Sequence, residues 1–249
     1  MSKYFQYLED TAKPGDGFQM YGGAHIIFLI GIIIGIVILI LLYNYASDRS
    51  RLKMLRVTAA IIFISEAVRQ ASFVLLQPVY PVSQLPLHLC GLSMFIEIIH
   101  AVRPNKTTGE ILYSLGLPGA LAALLFPNWT MYPLWSYQAI QSFVVHGLHI
   151  AFVLMPLIAD DIRPSARNIW RPALFLLIIV PPIYFLNKRL NTNFFFVNAG
   201  SEGSPLEILI NLMGNPGFLF GFVGLLLVLW FIMYLPFVVM EKKRRRMFI

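Results

Sequence analysis

Apolar residues occur in seven long stretches along this chain, separated by short polar connections that contain proline and glycine. Each stretch is about 20 residues long, the length that an α-helix needs to cross a bilayer core of roughly 30 Å. The pattern predicts membrane-spanning helices over residues 24–44, 55–77, 85–102, 109–127, 136–159, 171–187 and 216–240. We therefore expect an all-α polytopic membrane protein, a seven-transmembrane helix bundle in which residues 1–249 form a single integral membrane domain.

Composition supports this prediction. Hydrophobic residues make up 58% of the chain and charged residues 12%, whereas a soluble domain has about a quarter charged residues. The single cysteine, Cys90, excludes an intrachain disulfide. The first apolar stretch is too long for the core of a signal peptide and lacks a small-residue cleavage site after it. We expect it to be retained as the first span.

The basic residues indicate the orientation of the helices. Lysine and arginine in short connections stay on the cytoplasmic side. One side of the predicted bundle carries Arg49, Arg51, Lys53, Arg56, Arg103, Lys106, Arg163, Arg167, Arg171 and the basic part of the tail "EKKRRR". The other side carries Lys3, Lys13, Lys188 and Arg189. This asymmetry places the N-terminus outside and the C-terminus inside the cell membrane, and we expect a bacterial plasma membrane.

The net charge of +7 raises the question of a nucleic-acid partner. The positive charge is concentrated at the inner ends of the predicted spans and in the C-terminal tail. This placement favours contact between the tail and anionic lipids of the inner leaflet. We expect no nucleic-acid partner.

Several ionisable side chains fall inside the predicted spans, in the outer half of the bilayer or near its midplane. Such groups are costly in lipid and normally face the interior of the bundle or a wet cavity. The pattern predicts one polar pocket between the second, third and fifth spans, open to the outside. The predicted pocket residues are His25, Glu66, Arg69, His88, Cys90, Glu97, His146 and His149.

Helical spacing divides these residues into groups that share a face. One face of the third span carries Cys90, Ser93, Met94 and Glu97, and one face of the fifth carries His146 and His149. Structural alternatives remain open for each group. A lone cysteine is often a small apolar filler, the two histidines can hydrogen-bond across helices, and Glu66 with Arg69 can be an ion pair that fixes packing.

A cysteine near a histidine indicates nucleophilic chemistry, because the histidine can take the thiol proton. Cys90 with His146 would then form an acyl thioester, and Arg69 could hold a phosphate or carboxylate. A zinc site built from His88, Cys90, His146 and His149 is the alternative. His88 and Cys90 point in nearly opposite directions on a regular helix, so we expect neither a metal nor another cofactor.

Five segments, spread in order over nearly the whole chain, resemble the YwaF-like family of bacterial integral membrane proteins. They are "GFQMYGGAHIIFL", "HLCGLSMF", "SLGLPGALAALLFP", "HGLH" and "NTNFFFV". That family is similar to eukaryotic TMEM-type acyltransferases that remodel ether phospholipids through a cysteine and a histidine. More distantly it is similar to androgen-induced membrane hydrolases of lipid esters, which use a threonine.

The resemblance implies roles for particular residues. Cys90 falls on the nucleophile position and His146 on the base. Asn193 is a substrate-binding candidate, although "NFFF" departs from the expected Asn-Tyr start of that loop. The implied substrate is a membrane phospholipid or lysophospholipid.

Three functions follow as hypotheses. The first is a lipid acyltransferase, or a lipid ester hydrolase, in which Cys90 and His146 react. In it His25, Glu66, Arg69, His88, Glu97, His149 and Asn193 contact the substrate. The second is a transporter or binding protein without catalysis, with Glu66, Arg69 and Glu97 lining the route of a solute. The third is a membrane sensor or scaffold.

Two further features of the sequence carry expectations. "GIIIG" (Gly31 to Gly35) and "GFLFG" (Gly217 to Gly221) have the small-residue spacing of close helix contacts. We expect internal packing from them, with a homodimer as the alternative. The long outer connection 188–215 is either a lid or a passive cap.

Overall fold

The computed structural model describes residues 17–76, 80–201 and 203–247, with side chains described up to residue 241. Regular secondary structure in these residues is helical, as expected. The helices are α1 Gly23–Asn44, α2 Asp48–Leu76, α3 Leu89–Val102, α4 Lys106–Ile111, α5 Leu117–Leu125, α6 Tyr137–Ile158, α7 Trp170–Leu190, α8 Pro205–Met213 and α9 Phe218–Met247. A π-helical turn, Leu112–Gly116, joins α4 to α5.

Seven helical segments in the described part of the chain are long and apolar enough to cross a membrane. The seven predicted spans are thereby confirmed. The fourth consists of α4, the π-helical turn and α5 together. We call the end that carries the basic connections the inner end, following the positive-inside rule.

The helix boundaries differ most from the prediction where charge borders the apolar run. The helix α2 begins at Asp48, seven residues before the predicted span 55–77, and α9 continues to Met247, past residue 240. Residue 77 and the side chains of the basic tail from 242 onward lie outside the described side chains. Hydropathy locates only the part of a helix that lies in lipid, while the backbone hydrogen bonds continue into the charged interface.

Burial separates central from peripheral helices. In the fourth span and in α6, 67% and 61% of the apolar window is buried inside the protein, whereas the figure for α1 is 6%. The helix α6 packs against α1, α2, α3 and α5. The helices α1, α7 and α9 expose long apolar faces, which lipid would cover. Polar groups near α6 are therefore shielded from lipid.

Side-chain caps fix the starts of three helices. Ser136 accepts a hydrogen bond from the Ala139 N–H at the start of α6, and Asn105 accepts one from the Thr108 N–H at the start of α4. Ser204 caps α8, which begins at a proline. These residues satisfy backbone N–H groups that have no partner within the helix.

The last helix is attached to the π-helical turn by hydrogen bonds. The indole N–H of Trp230 donates to the Ser114 carbonyl at 2.9 Å, and the Tyr113 hydroxyl donates to the Met233 carbonyl at 2.7 Å. These two hydrogen bonds hold α9 against the π-helical turn.

The two glycine pairs have different surroundings. A Cβ atom on Gly221 would lie 2.7 Å from the Met213 sulfur, so α8 packs closely on α9 there. This confirms internal packing for "GFLFG". The same expectation is wrong for "GIIIG", because a Cβ on Gly31 or Gly35 would meet nothing within 4 Å. Self-association through that open face stays a prediction.

In the described part of the outer connection between α7 and α9, side-chain hydrogen bonds organise the turn that follows α7. The buried Asn187 uses its side-chain amide to bond the Phe194 N–H and carbonyl, the Thr192 hydroxyl and Asn198. The left-handed conformation at Asn191 ends α7. These contacts fold the chain back over the outer end of α3.

Candidate functional site

The position of Cys90 depends on a close backbone contact. The segment 85–88 folds over the first turn of α3, and His88 is the residue that precedes the helix. A Cβ atom on Gly91 would lie 2.3 Å from the Pro86 carbonyl oxygen, a separation that no side chain allows. Glycine next to the cysteine therefore permits the approach of this segment, which holds Cys90 partly buried at the outer end of α3.

Glu97 and His149 form a buried contact between α3 and α6. Nδ1 of His149 lies 2.8 Å from Oε1 of Glu97, and the side chains are 3% and 1% exposed. The second carboxylate oxygen of Glu97 is buried without a hydrogen-bond partner in the described structure. The sequence placed these two residues on separate faces of separate spans, and the structure brings them together.

His146 is held in one orientation by two contacts. Its Nδ1 lies 2.6 Å from the Ser142 carbonyl oxygen. Because a carbonyl only accepts, Nδ1 carries the proton and Nε2 has the free lone pair. The ring also stacks on Trp129, with 5.1 Å between centroids and 11° between planes. His146 is partly accessible, so its basic nitrogen is oriented and available.

Cys90 and His146 belong to two helices, α3 and α6, that are in contact. Both helices run from the outer to the inner end. Cys90 lies about 10.5 Å above Glu97, and His146 about 4.5 Å above His149, at 1.5 Å of rise per residue. The Cys90 and His146 side chains therefore differ by about 6 Å in height. No hydrogen bond joins them in the described structure, where the polar contact of the His146 ring is the Ser142 carbonyl.

His88 lies under the outer connection. Its ring contacts Phe194 and Phe196, with centroid separations of 5.3 and 5.2 Å. Phe195 and Phe196 have φ angles of 59° and 55°, a conformation that bulky residues rarely adopt. His88 and Arg69 both lie within electrostatic range of His146. The aromatic turn 194–196 therefore covers His88 at the outer end of α3.

Arg69 is engaged with protein partners on both sides. It donates to both carboxylate oxygens of Glu66, at 2.8 and 2.7 Å, and to the Gln84 side chain at 2.9 Å. Its guanidinium also packs over the Phe73 ring. Gln70 and Gln141 bond to Glu66 as well. This network ties α2 to the segment before α3, and it leaves Arg69 little unused donor capacity.

Two predicted substrate contacts have structural partners instead. His25 is fully buried. Its Nδ1 accepts from the Tyr21 N–H and its Nε2 bonds to the Leu124 carbonyl, each at 2.9 Å. Both ring nitrogens of His25 are therefore bonded within the protein, and His25 has no free ring nitrogen for a substrate. The Asn193 side chain bonds to the backbone of residues 198 and 199, which organises the outer turn.

Some buried polar atoms on α3 and beside α6 have no hydrogen-bond partner in the described structure. Among the described side chains they include the Ser93 hydroxyl, the Glu97 carboxylate and the Trp129 indole N–H. Such atoms are rare in folded proteins, and each calls for a physical explanation. The helical spacing already placed Ser93 on the face of Cys90. Nothing in the sequence connected Trp129 to His146, because the connection before α6 folds back over that helix.

Two observations concern the other chemistry that was considered. The described residues contain no group of three or more His, Cys, Asp or Glu side chains that could hold a metal ion. A cavity of about 600 Å³ lies at the inner end, and Tyr43, Arg51, His100 and Asp161 are among its lining residues. It is separated from Cys90 by most of the length of α3.

The fold and the pocket define a polytopic membrane protein of seven spanning segments, with a buried polar site between α2, α3 and α6. Residues 20–234 match the TMEM164 family, and the chain belongs to this family. The match supports the transmembrane family expected from the short motifs. The matching family is described as the TMEM164 family, and the match does not support the YwaF-like label.

An uncharacterized protein of Treponema pallidum (strain Nichols) is similar to this chain. It is 28% identical over 169 residues, which cover 67% of this chain and 68% of that protein. No solved structure matches this chain significantly. The geometry of the site is therefore the main basis for a functional proposal.

Proposed function

We propose that this protein is a membrane-embedded lipid acyltransferase that works through an acyl thioester on Cys90, with His146 as the base. The observation that carries this proposal is the geometry of His146. The Ser142 carbonyl fixes its tautomer, Trp129 fixes its ring plane, and its Nε2 has no hydrogen-bond partner in the described structure. His146 lies on α6, which contacts α3, the helix that carries Cys90.

In the first step, Nε2 of His146 takes the thiol proton of Cys90 as the sulfur attacks the ester carbonyl of a phospholipid. A sulfur–carbon bond forms, and the carbonyl oxygen takes up the electron pair of the C=O π bond. When the tetrahedral intermediate collapses, the ester C–O bond breaks. His146 then gives its proton to the departing alkoxide, which leaves as a lysophospholipid.

In the second step, His146 takes a proton from the hydroxyl of an acceptor lipid. The acceptor oxygen attacks the thioester carbonyl, the C–S bond breaks and the thiolate regains the proton from His146. Water in place of the acceptor would give lipid ester hydrolysis. Both steps balance without a metal or another cofactor.

The surroundings of the dyad suit a lipid substrate. The pocket lies within the predicted outer leaflet, below the apolar turn Phe194–Phe196, so we place the acyl chain between that turn and α3. His88, Glu97 and His149 line the pocket and are proposed substrate contacts. Glu66 and Arg69 contribute negative and positive charge, respectively, at its edge. Anionic lipids at the basic tail and a bacterial plasma membrane remain part of this proposal.

The test uses the single thiol of the chain. Purified protein in detergent is incubated with a long-chain 4-nitrophenyl acyl ester, and the adduct is measured by intact mass. We expect an acyl mass on the wild type, none on Cys90→Ala and slowed formation on His146→Gln. His100→Gln is the matched control, because His100 is also buried but bonds Thr108 near the inner end. An equal adduct on Cys90→Ala would overturn the proposal.

A transporter is the second candidate, and the inner cavity favours it. That cavity and the proposed outer polar pocket lie at opposite ends of α3. A solute that crosses the membrane would need one opening at each end of the bundle. The test is solute flux into liposomes that contain the purified protein. A saturable flux that Glu66→Gln abolishes, together with no acyl adduct on Cys90, would favour transport over catalysis.

A further inference from the structure

The hydroxyl of Ser93 is a buried donor that the protein itself does not use. Ser93 is 2% exposed, and its Oγ has no hydrogen-bond partner in the described structure. A buried serine in a helix normally donates to a carbonyl one turn earlier. Ser114 does so to the Glu110 carbonyl, and Ser72 does so to the Arg69 carbonyl. Ser93 differs from both.

The position of Ser93 relates it to the proposed nucleophile. It follows Cys90 by three residues, so the two side chains lie on one face of α3, about 5–6 Å apart at Cβ. The carbonyl oxygen of a thioester on Cys90 would lie in the space between the Cys90 and Ser93 side chains. The free hydroxyl therefore lies one helical turn from the sulfur, within reach of an acyl group attached to it.

The chain leaves space beside this hydroxyl. Across from Ser93 is Gly116, the last residue of the π-helical turn, where an added Cβ would lie 3.4 Å from the Ser93 Oγ. Glycine there keeps a side chain away from the hydroxyl. π-helical turns occur often at functional sites. The local geometry thus keeps the donor buried and unobstructed.

We propose that Ser93 is a catalytic residue, whose hydroxyl donates a hydrogen bond to the carbonyl oxygen of the acyl group on Cys90. This inference rests on the proposed acyltransferase function and adds a stabilising donor to it. As the sulfur attacks, negative charge develops on that oxygen. A preoriented donor in a site with little water stabilises this charge strongly. The Ser93 hydroxyl then lacks a partner in the described structure because its acceptor, the acyl carbonyl oxygen, is present only during the reaction.

The first experiment separates this role from a structural one. Ser93→Ala removes an unpaired buried hydroxyl, so we expect an unchanged or higher melting temperature in detergent. We also expect formation of the Cys90 acyl adduct from the 4-nitrophenyl ester to slow by about 100-fold. Ser114→Ala, which removes a hydroxyl that is already bonded, should leave the rate unchanged. A lower melting temperature with an unchanged rate would overturn the inference.

A second experiment measures the donor directly. A long-chain trifluoromethyl ketone would accept the Cys90 sulfur at its carbonyl carbon, forming a hemithioketal whose oxygen carries the developing charge. We expect Ser93→Ala to weaken inhibition by this ketone about 100-fold, and Ser93→Thr, which keeps the hydroxyl, to restore most of it. Equal inhibition of wild type and Ser93→Ala would contradict the role of Ser93.

The two proposals can fail separately. If Cys90→Ala forms the same adduct as the wild type, the proposed function fails. Suppose instead that the adduct requires Cys90, while Ser93→Ala changes neither the rate of adduct formation nor the inhibition by the ketone. In that case only the inference about Ser93 fails.

Discussion

Nδ1 of His149 lies 2.8 Å from Oε1 of Glu97 across the contact between α3 and α6, and both side chains are almost completely buried. This bond fixes the height of one helix against the other. Because Cys90 precedes Glu97 by two turns and His146 precedes His149 by one, the same bond sets the relative height of the Cys90 and His146 side chains.

The first prediction concerns the strength of this pair. Glu97→Gln keeps the shape of the side chain but removes the charge-assisted hydrogen bond. We expect it to lower the free energy of unfolding by about 1.5–3 kcal/mol, measured by denaturation in detergent. A double-mutant cycle with His149→Asn should give a coupling free energy of about 1 kcal/mol or more. Additive effects of the two substitutions would contradict a direct pair.

The second prediction concerns Trp129, which stacks on the His146 ring. Trp129→Ala should release that ring and slow acylation of Cys90 by about 10–100-fold, because the base is no longer held in place. Trp129→Phe keeps an aromatic face and should retain most of the rate. Trp135→Ala is the matched control, since Trp135 belongs to the same connection but is 71% exposed. Equal slowing in the control would count against the stacking role.

The third prediction concerns the approach of Pro86 to Gly91. Gly91→Ala would place a Cβ atom 2.3 Å from the Pro86 carbonyl oxygen, so the segment before α3 must move. We expect a loss of about 1–3 kcal/mol in unfolding free energy, with slower acylation of Cys90.

Gly35→Ala is the control for this substitution. A Cβ at Gly35 meets nothing within 4 Å, and alanine favours a helix by about 0.5–1 kcal/mol over glycine. In a thermal melt, we therefore expect the melting temperature to fall for Gly91→Ala and to rise for Gly35→Ala. An equal change in melting temperature for the two variants would contradict the close contact between Gly91 and the Pro86 carbonyl oxygen.

The fourth prediction concerns Arg69. Arg69→Lys keeps the charge but loses the simultaneous bonds to Glu66 and Gln84, since an ammonium group cannot form the planar fork. We expect a loss of about 2 kcal/mol in unfolding free energy. Arg163→Lys should be close to neutral, because its ion pair with Asp160 is exposed. An unchanged stability in Arg69→Lys with a raised KM for lipid would favour a headgroup role for Arg69.

Much of the fold followed from the sequence. The number and approximate location of the spans were predicted, because burying an unpaired backbone in lipid is so costly that only long apolar helices satisfy the membrane. The shared face of Cys90, Ser93 and Glu97 also followed, since it depends only on the 3.6-residue period within one helix. The short helix α8 and the charged first turns of α2 were missed, because hydropathy does not detect helix outside the apolar region.

The site depended on contacts that the sequence does not encode locally. The pairing of Glu97 with His149, the stacking of Trp129 on His146 and the burial of His25 each join residues from different segments. The rotation and height of one helix against another decide such contacts. Helices that are apolar on nearly all sides constrain that rotation weakly, because lipid covers any face equally well. The sequence alone determined the seven spans and the order of the polar residues along each span; tertiary packing, through bonds such as that between Glu97 and His149, decided which of those residues meet.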